Sequence, residues 1–290
     1  LSDRCSLGQD DKSSALSLSF KMVNSQITDI KIEQSEVRVT KISYEAADKD
    51  LDKNEELLKL SEIANSHKAF RNENGAIRLD LPNVDVKLKD SKVVIKSQEK
   101  SQSRELVAEM MVIAGRVVAQ FAIENNISMP FLSQEVGSFS EETINNKKNL
   151  TYSQAFQATR GFKRSKLSTT PLLHAGLGLH SYVRATSPIR RYLDLLVHQQ
   201  IVRFINKQPT LDDSQVKERI KIINVVMPKV NKVSRQSVEH FKCLFLKQNK
   251  SWSSVGIVVE IKGDKAIVLI PAIAMMTQIK ISSDTQLEDK

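Results

Sequence analysis

Residues 103–125, SRELVAEMMVIAGRVVAQFAIEN, constrain the fold of this chain more than any other stretch. The segment predicts a helix whose apolar residues are nearly continuous, and a helix that is apolar on most sides has to be buried. Its charged residues leave it short of the roughly 18 consecutive apolar residues that suggest a membrane span. A chain of 290 residues can bury such a helix under other layers. We therefore expect an α+β protein built around this helix, without a membrane segment.

Alternating apolar and polar residues predict strands on both sides of this helix. We interpret residues 15–42 as a three-stranded meander with turns at Asn24–Ser25 and Gln34–Ser35. Two further strands lie on either side of the polar pair Asp90–Ser91. Strands return after residue 253, where residues 262–265 form a hairpin turn.

Helical spacing predicts further helices at about 55–70 and 212–247, and another that begins near Ser187. The change from helix to strand near residue 248 suggests a domain boundary. We expect a first domain at 1–248 and a second at 249–290. Cys5 and Cys243 match no metal-ligand spacing, and we expect two buried or inert thiols.

Positive charge is concentrated in one part of the sequence. The chain carries 43 lysines and arginines against 34 acidic residues, a formal net charge of +9. Between residues 151 and 205, Asp194 is the only acidic residue. The basic residues of that window are Arg160, Lys163, Arg164, Lys166, Arg184, Arg190, Arg191 and Arg203. A segment with this imbalance favours an anionic partner.

The run HAGLGLHSYVRATSPIRRYLDLLVHQQ at 174–200 suggests a phosphate site. Ser187 and Pro188 are typical of the first positions of a helix. Arg190 and Arg191 would then lie in its first turn, where a helix favours anions rather than cations. Free N–H groups, two guanidinium groups and nearby Arg184 would together bind a phosphate. Alternatively, Asp194 pairs with Arg191 at i+3, with Arg190 at i+4, or with both.

The same run closely resembles the C-terminal motif of the RNB exoribonuclease family, of ribonuclease II/R type. The matching residues are His174, Gly176, Gly178, Leu179, Tyr182, Thr186, Ser187, Pro188, Ile189, Arg190, Arg191, Tyr192, Asp194 and His198. The resemblance implies the C-terminal portion of an RNB catalytic domain, with a mixed β-sheet and several helices, followed by the start of an OB-fold barrel.

The resemblance also implies roles for particular residues. The family degrades single-stranded RNA hydrolytically from its 3′ end and releases nucleoside 5′-monophosphates. Arg190 matches the family's catalytic arginine, Tyr44 an active-site tyrosine at a strand end, and Glu109 a carboxylate near the RNA 3′ end. The expected RNA-binding residues are Arg184, Thr186, Ser187, Arg191, Lys163, Arg164 and Lys166. Reasoned from the residues alone, a tyrosine such as Tyr44 is usually a half-buried core residue with a solvated hydroxyl, and a salt bridge to Arg104 or Arg116 would satisfy Glu109.

The family uses two divalent ions, usually Mg²⁺, held by aspartates upstream of the position that matches Leu1. Within this chain Asp48, Asp50 and Asp52 alternate, but neighbouring lysines favour a solvated charge run over a metal site. From the Leu at position 1 and the strand pattern left open at the C-terminus, we expect both ends of the chain to be cut. We therefore expect no metal ligands here, and a chain that binds RNA weakly and cleaves none alone.

Two hypotheses about function remain open. The first is an RNB exoribonuclease, a bacterial cytoplasmic or plastid enzyme that is monomeric and needs no small-molecule cofactor. The second is a non-catalytic RNA-binding protein built on the same scaffold. Aspartates encoded upstream would favour the first hypothesis, and a native start near Leu1 would favour the second.

Overall fold

The computed structural model describes residues 5–77, 79–98, 100–140 and 150–290, and within them six helices and nine strands. The helices are α1 (Tyr44–Asp50), α2 (Glu55–Glu73), α3 (Gln102–Glu124), α4 (Tyr152–Gly161), α5 (Tyr192–Ile205) and α6 (Asp213–Gln248). The strands are β1 (Ser13–Val23), β2 (Gln26–Val37), β3 (Val84–Lys89), β4 (Lys92–Ser97), β5 (Phe131–Ser133), β6 (Lys166–Ser168), β7 (Ile257–Lys262), β8 (Lys265–Ile270) and β9 (Met275–Lys280). The predicted α+β class is confirmed, and the sheets in the described ranges are small, antiparallel and open.

The chain divides into two units. The first comprises the described residues within 1–76, 100–136 and 164–222, and the second those within 77–99, 137–163 and 223–290. These limits differ from the domain boundary near residue 248, which stays a prediction.

Helix α3 is the core element of the first unit, as the sequence predicted. Ile113, Val117 and Ala119 are fully buried, and the helix packs against β2, Phe131 and Val183. By length and composition α3 is the one helix in the described residues that could cross a membrane, yet half of that stretch is buried inside the protein. A core helix has this combination of properties.

The predicted meander at 15–42 is wrong, because β1 and β2 form one long hairpin. Its turn is Asn24–Ser25, as predicted, and both residues have positive φ (48° and 61°), as a two-residue hairpin turn requires. Gln34 and Ser35 instead continue β2 and pair with Leu16 and Ala15. The Ser35 hydroxyl contacts that of Ser17 across the hairpin at 2.6 Å, so this polar residue is satisfied within a ladder.

The second unit contains the hairpin β3–β4, helix α4, most of α6 and the sheet β7–β8–β9. The predicted turn at Asp90–Ser91 is confirmed, with φ of 49° and 61°. Arg160 of α4 binds the Glu260 carboxylate of β7 through both terminal nitrogens. The C-terminal sheet has three strands and is not closed into a barrel.

Candidate nucleic-acid interface

A tight turn begins the segment that carries the candidate site. Residues 175–177 form one 3₁₀ turn, and Gly178 follows with φ of +63°. A Cβ atom at Gly178 would lie 2.4 Å from the backbone oxygen of Arg71 in α2. The left-handed backbone and this close approach both require glycine. The turn is therefore held directly against α2.

A second glycine sets the path of the segment after the turn. A Cβ atom at Gly115 of α3 would lie 2.3 Å from the Tyr182 ring and 2.5 Å from the Val183 oxygen. On the other side, the Leu132 backbone N–H donates to the Tyr182 oxygen at 2.9 Å. Residues 182 and 183 thus run between α3 and β5.

The predicted helix start at Ser187 is wrong, because α5 begins at Tyr192. Arg191 has extended backbone angles (φ −127°, ψ 116°), which interrupt any helix that begins earlier. The Ser187 carbonyl accepts from the backbone N–H groups of Arg190 (3.3 Å) and Arg191 (3.0 Å) and closes a separate turn. Arg190 and Arg191 therefore lie in a turn that precedes the helix, not in its first helical turn.

Asp194 explains why this turn is stable. Its carboxylate is fully buried and accepts from the Ser187 backbone N–H and from Arg191 Nη2, both at 2.9 Å. The Arg191 guanidinium also lies 3.4 Å from the Thr186 hydroxyl. The alternative of an Arg191–Asp194 pair is therefore confirmed. Arg190 instead contacts the Ser187 hydroxyl at 3.5 Å.

The charge of this surface comes from two exposed arginines. Arg184 and Arg190 are exposed, and neither has a carboxylate partner within the described ranges. Arg191, which Asp194 neutralises, is one third exposed. Two uncompensated guanidinium groups with the hydroxyls of Thr186 and Ser187 form a cationic surface that suits a phosphate. The structure thus brings together four of the predicted RNA-binding residues and Arg190.

Two histidines of the motif, His174 and His198, make contacts within the protein itself. His198 Nε2 donates to the Ala185 carbonyl at 2.7 Å. His174 is buried against the edge of the Tyr182 ring. Burial, with a smaller effect from the nearby positive charge of Arg184, lowers the pKa of His174 from 6.5 to about 4. His174 is therefore neutral at pH 7.

Glu109, a predicted catalytic residue, is 6% exposed and fully engaged. Arg71 donates to its two carboxylate oxygens at 2.8 and 2.5 Å, and His67 Nδ1 lies 2.6 Å from one of them. Burial raises the pKa of Glu109, but hydrogen bonds from His67 and Arg71 and the charge of Arg71 outweigh it, so the pKa lies below its ordinary value. The proposed partners Arg104 and Arg116 are wrong.

Glu109 is connected to the motif through its arginine. Arg71 Nη1 donates to the Leu177 carbonyl, in the 3₁₀ turn, at 3.2 Å. Neither Arg71 nor His67 was predicted from the sequence as part of the site. The signal that could have found them is helical spacing, since residues 57, 60, 64, 67 and 71 form one stripe of α2 whose last two members are basic.

Tyr44 does not lie at a strand end as predicted, because Ser43 caps α1 and Tyr44 is its first residue. The residue is 37% exposed, and its ring stacks under the Arg104 guanidinium with 4.3 Å between the guanidinium carbon and the ring centre. Among Asp48, Asp50 and Asp52, which were predicted to be solvated, Asp48 accepts a hydrogen bond from the Ser103 N–H at 2.8 Å. A catalytic role for Tyr44 stays a prediction.

The basic residues before the motif are exposed. Lys163 belongs to the second unit, and Arg164 and Lys166 to the first. Lys166 lies in β6 and binds the Glu135 carboxylate. Their contact with RNA stays a prediction.

The two cysteines are free and exposed rather than buried.

The described residues do not fit the metal pair that the family resemblance implies. Within those ranges no three His, Cys, Asp or Glu side chains converge. Among the candidates, Asp48 accepts from the Ser103 N–H in the first turn of α3, and Glu109 binds Arg71. We therefore derive no step through a metal ion from these residues.

Comparison with known proteins identifies the family. The RNB domain family model matches residues 1–207, so the chain belongs to the RNB family. It is 36% identical over 244 residues to an uncharacterized ribonuclease of Synechocystis, covering 79% of this chain and 36% of that protein. It is 27% identical to the chloroplastic/mitochondrial ribonuclease II of Arabidopsis thaliana, covering 98% of this chain and 38% of that protein. The chain thus spans little more than a third of the length of these relatives.

Solved structures share the fold at low identity. Dss1 exoribonuclease of Candida glabrata has a TM-score of 0.83 at 21% identity, covering 99% of this chain and 41% of that one. Mycoplasma genitalium RNase R in complex with single-stranded RNA has a TM-score of 0.77 at 18% identity, with coverages of 96% and 51%. Yeast Ssd1, a pseudonuclease, has a TM-score of 0.71 at 15% identity, with coverages of 96% and 40%.

Proposed function

We propose that this chain is part of a 3′→5′ exoribonuclease that hydrolyses single-stranded RNA to nucleoside 5′-monophosphates. The observation that carries the proposal is the turn at 186–191, where Arg190 is exposed and has no carboxylate partner in the described ranges while Asp194 neutralises Arg191. A buried carboxylate that holds one arginine leaves the other free for a phosphate. Relatives named as ribonucleases support the reaction class.

In this proposal Arg190 holds the scissile phosphate. A guanidinium group donates two parallel hydrogen bonds to phosphate oxygens and balances the charge that develops in the transition state. A comparable arginine in phosphoryl transfer is worth on the order of 10³–10⁵ in rate. Arg184, Thr186 and Ser187 contact neighbouring phosphates, and Arg191 and Asp194 keep the turn in shape.

Glu109 enters the proposal as a positioning residue rather than as a group that touches RNA. Both of its oxygens are bound, and Arg71 connects it to the Leu177 carbonyl. Its role is to fix the glycine turn that leads to Arg184 and Arg190.

Mg²⁺ remains an expectation from the family resemblance, with ligands outside this chain, and so does the inactivity of the isolated chain. A bacterial cytoplasmic or plastid location is proposed on the relatives' sources.

A second candidate is a non-catalytic RNA-binding protein. Two observations favour it: Glu109 is sequestered, and the pseudonuclease Ssd1 has the same fold. A shared fold does not establish a shared reaction. Both candidates need Arg184 and Arg190 to bind phosphate, and they differ in whether the RNA becomes shorter.

The decisive experiment follows a 5′-labelled single-stranded RNA with Mg²⁺. We would compare this chain, the full-length protein that its gene encodes, and full-length Arg190→Gln. We expect the full-length protein to shorten the RNA by single nucleotides, and Arg190→Gln to be slower by about 10³-fold or more. If the full-length protein binds RNA but never shortens it, the RNA-binding protein is the correct reading.

Binding by this chain alone tests the phosphate contact separately. For a single strand, the loss of one phosphate contact reduces the slope of log affinity against log salt by about 0.7. We expect that change for Arg190→Gln and none for Lys49→Gln, an exposed lysine of α1. Equal slopes for the two variants would contradict a phosphate contact at Arg190.

A further inference from the structure

A cleft in the first unit is lined in part by the end of the motif run, from Tyr192 to Gln200, but by none of the residues of the turn at 186–191. It has a volume of about 250 Å³ and lies between α5 and the first turns of α6. Its lining includes Leu196, which is fully buried, and partly buried Leu211. This volume is near the lower limit of small-ligand pockets, roughly 300 Å³, and so suits a ligand no larger than one nucleotide.

The rim of the cleft is cationic and aromatic. Arg203 and Arg219 line it and are exposed, and no ion pair joins either to a carboxylate within the described ranges. Arg203 makes one long hydrogen bond, from Nη1 to the Pro209 carbonyl at 3.4 Å. Tyr192 lines the same cleft and is 41% exposed. None of the lining residues is acidic. Guanidinium groups attract a phosphate, and an exposed aromatic ring stacks on a base.

One wall of the cleft is rigid. Gln200 is fully buried, and its amide nitrogen donates to the carbonyls of Ser128 and Leu211, both at 2.9 Å. Its amide oxygen accepts from the Leu211 N–H at 2.8 Å. The two bonds to Leu211 fix the loop before α6 against α5, and the bond to Ser128 holds the Gln200 side chain in place. The cleft is therefore preformed, which lowers the entropic cost of binding a ligand.

We propose that this cleft is a nucleotide-binding site, in which a base packs on Tyr192 and its phosphate binds Arg203 and Arg219. The site goes beyond the proposed function, because it requires no cleavage and does not use Arg190. Its ligand is a nucleotide of an RNA strand or a free nucleoside 5′-monophosphate, which share the same ring and phosphate chemistry.

The test measures binding of adenosine 5′-monophosphate, of adenosine and of a labelled single-stranded oligonucleotide to the full chain. The variants are the pair Arg203→Gln with Arg219→Gln, and separately Tyr192→Leu. A control pair, Lys49→Gln with Lys53→Gln, removes the same charge from exposed positions outside the cleft. Circular dichroism checks each fold, and Arg219→Gln alone serves if the double variant does not fold.

We expect the arginine pair to weaken binding of the monophosphate by at least about tenfold, the loss for one charged hydrogen bond. Tyr192→Leu should weaken the monophosphate and adenosine alike, by about fivefold or more, because a lost stacking contact affects both. The control pair should change monophosphate binding by less than about twofold, as expected of exposed charges outside the site.

The outcomes separate the sources of the ligand. An effect confined to the monophosphate supports a mononucleotide site, and an effect on the oligonucleotide supports a path for the strand. If the arginine pair binds both ligands as the control pair does, the proposal is wrong. Repeating the series in an Arg190→Gln background separates the two sites. Cleft variants without effect in either background refute this site, whereas Arg190→Gln without effect on RNA refutes the proposed function.

Discussion

Replacing Glu109 with glutamine tests the buried network that connects α3, α2 and the glycine turn. Glutamine keeps the shape of the side chain but removes its charge and presents amide hydrogens to the Arg71 guanidinium. The side chains of Glu109 and Arg71 are 7% and 14% exposed, so the remaining charge cannot be solvated. Removing one partner of a buried ion pair costs about 3–5 kcal/mol. Total stabilities are about 5–15 kcal/mol, so the loss is a large fraction of the whole.

Urea unfolding followed by circular dichroism measures this loss as a lower midpoint with an unchanged slope. The matched control is Glu105→Gln, one turn earlier on α3. Glu105 binds Lys68 at 2.9 Å, but the two side chains are 38% and 34% exposed. Exposed pairs contribute about 0–1 kcal/mol. If Glu109→Gln costs no more than Glu105→Gln, the reasoning is refuted.

The pH dependence of the same variant gives an independent test. The folded pKa of Glu109 lies below the ordinary 4.5, so its carboxylate stabilises the fold fully above about pH 4.5. That contribution is lost as the pH falls through the lowered folded pKa. We expect the stability difference between the unmodified chain and Glu109→Gln to shrink only below pH 4.5. A difference that shrinks already between pH 7 and 5 would contradict the assignment.

The remaining predictions concern the glycine turn, His174 and the arginine turn. In urea unfolding, Gly178→Ala should destabilise the fold by several kcal/mol more than Gly75→Ala. Both glycines have positive φ (63° and 85°), but of the two only Gly178 has neighbours that a Cβ would meet. NMR titration should give His174 a pKa near 4. Because the pKa in the unfolded chain is about 6.5, the unfolding free energy should fall as the pH drops from about 6.5 to 4. A measured pKa near 6.5 would contradict the burial argument. Asp194→Asn should lower the unfolding free energy by about 1–3 kcal/mol, because it removes a buried charged acceptor from Arg191 and Ser187, and a change within 0.5 kcal/mol would count against that role.

Where the sequence predicted the fold correctly, the determining interactions are local. The buried helix at 103–125 follows from its nearly continuous run of apolar residues. The turns at Asn24–Ser25 and Asp90–Ser91 depend on polar residues that tolerate positive φ, and both pairs adopt it. The family could be identified because its motif is a continuous run of residues.

Features that depend on distant residues were missed or predicted wrongly. Ser187 and Pro188 do have the residue types of a helix start, but the buried Asp194 carboxylate takes the Ser187 N–H and Arg191 is extended, so the helix begins later. Glu109 has arginines nearby in sequence, yet its partner is Arg71, 38 residues away and brought near by the packing of α2 on α3.

The sequence by itself thus determined the buried helix at 103–125, the turns at Asn24–Ser25 and Asp90–Ser91, and the family to which the chain belongs. The tertiary structure decided which charges are neutralised, and with them which arginines remain available to bind phosphate. The physical reason is that the strength of an ion pair depends on burial and on distances of a few ångströms. Those quantities are set only when segments far apart in sequence pack together.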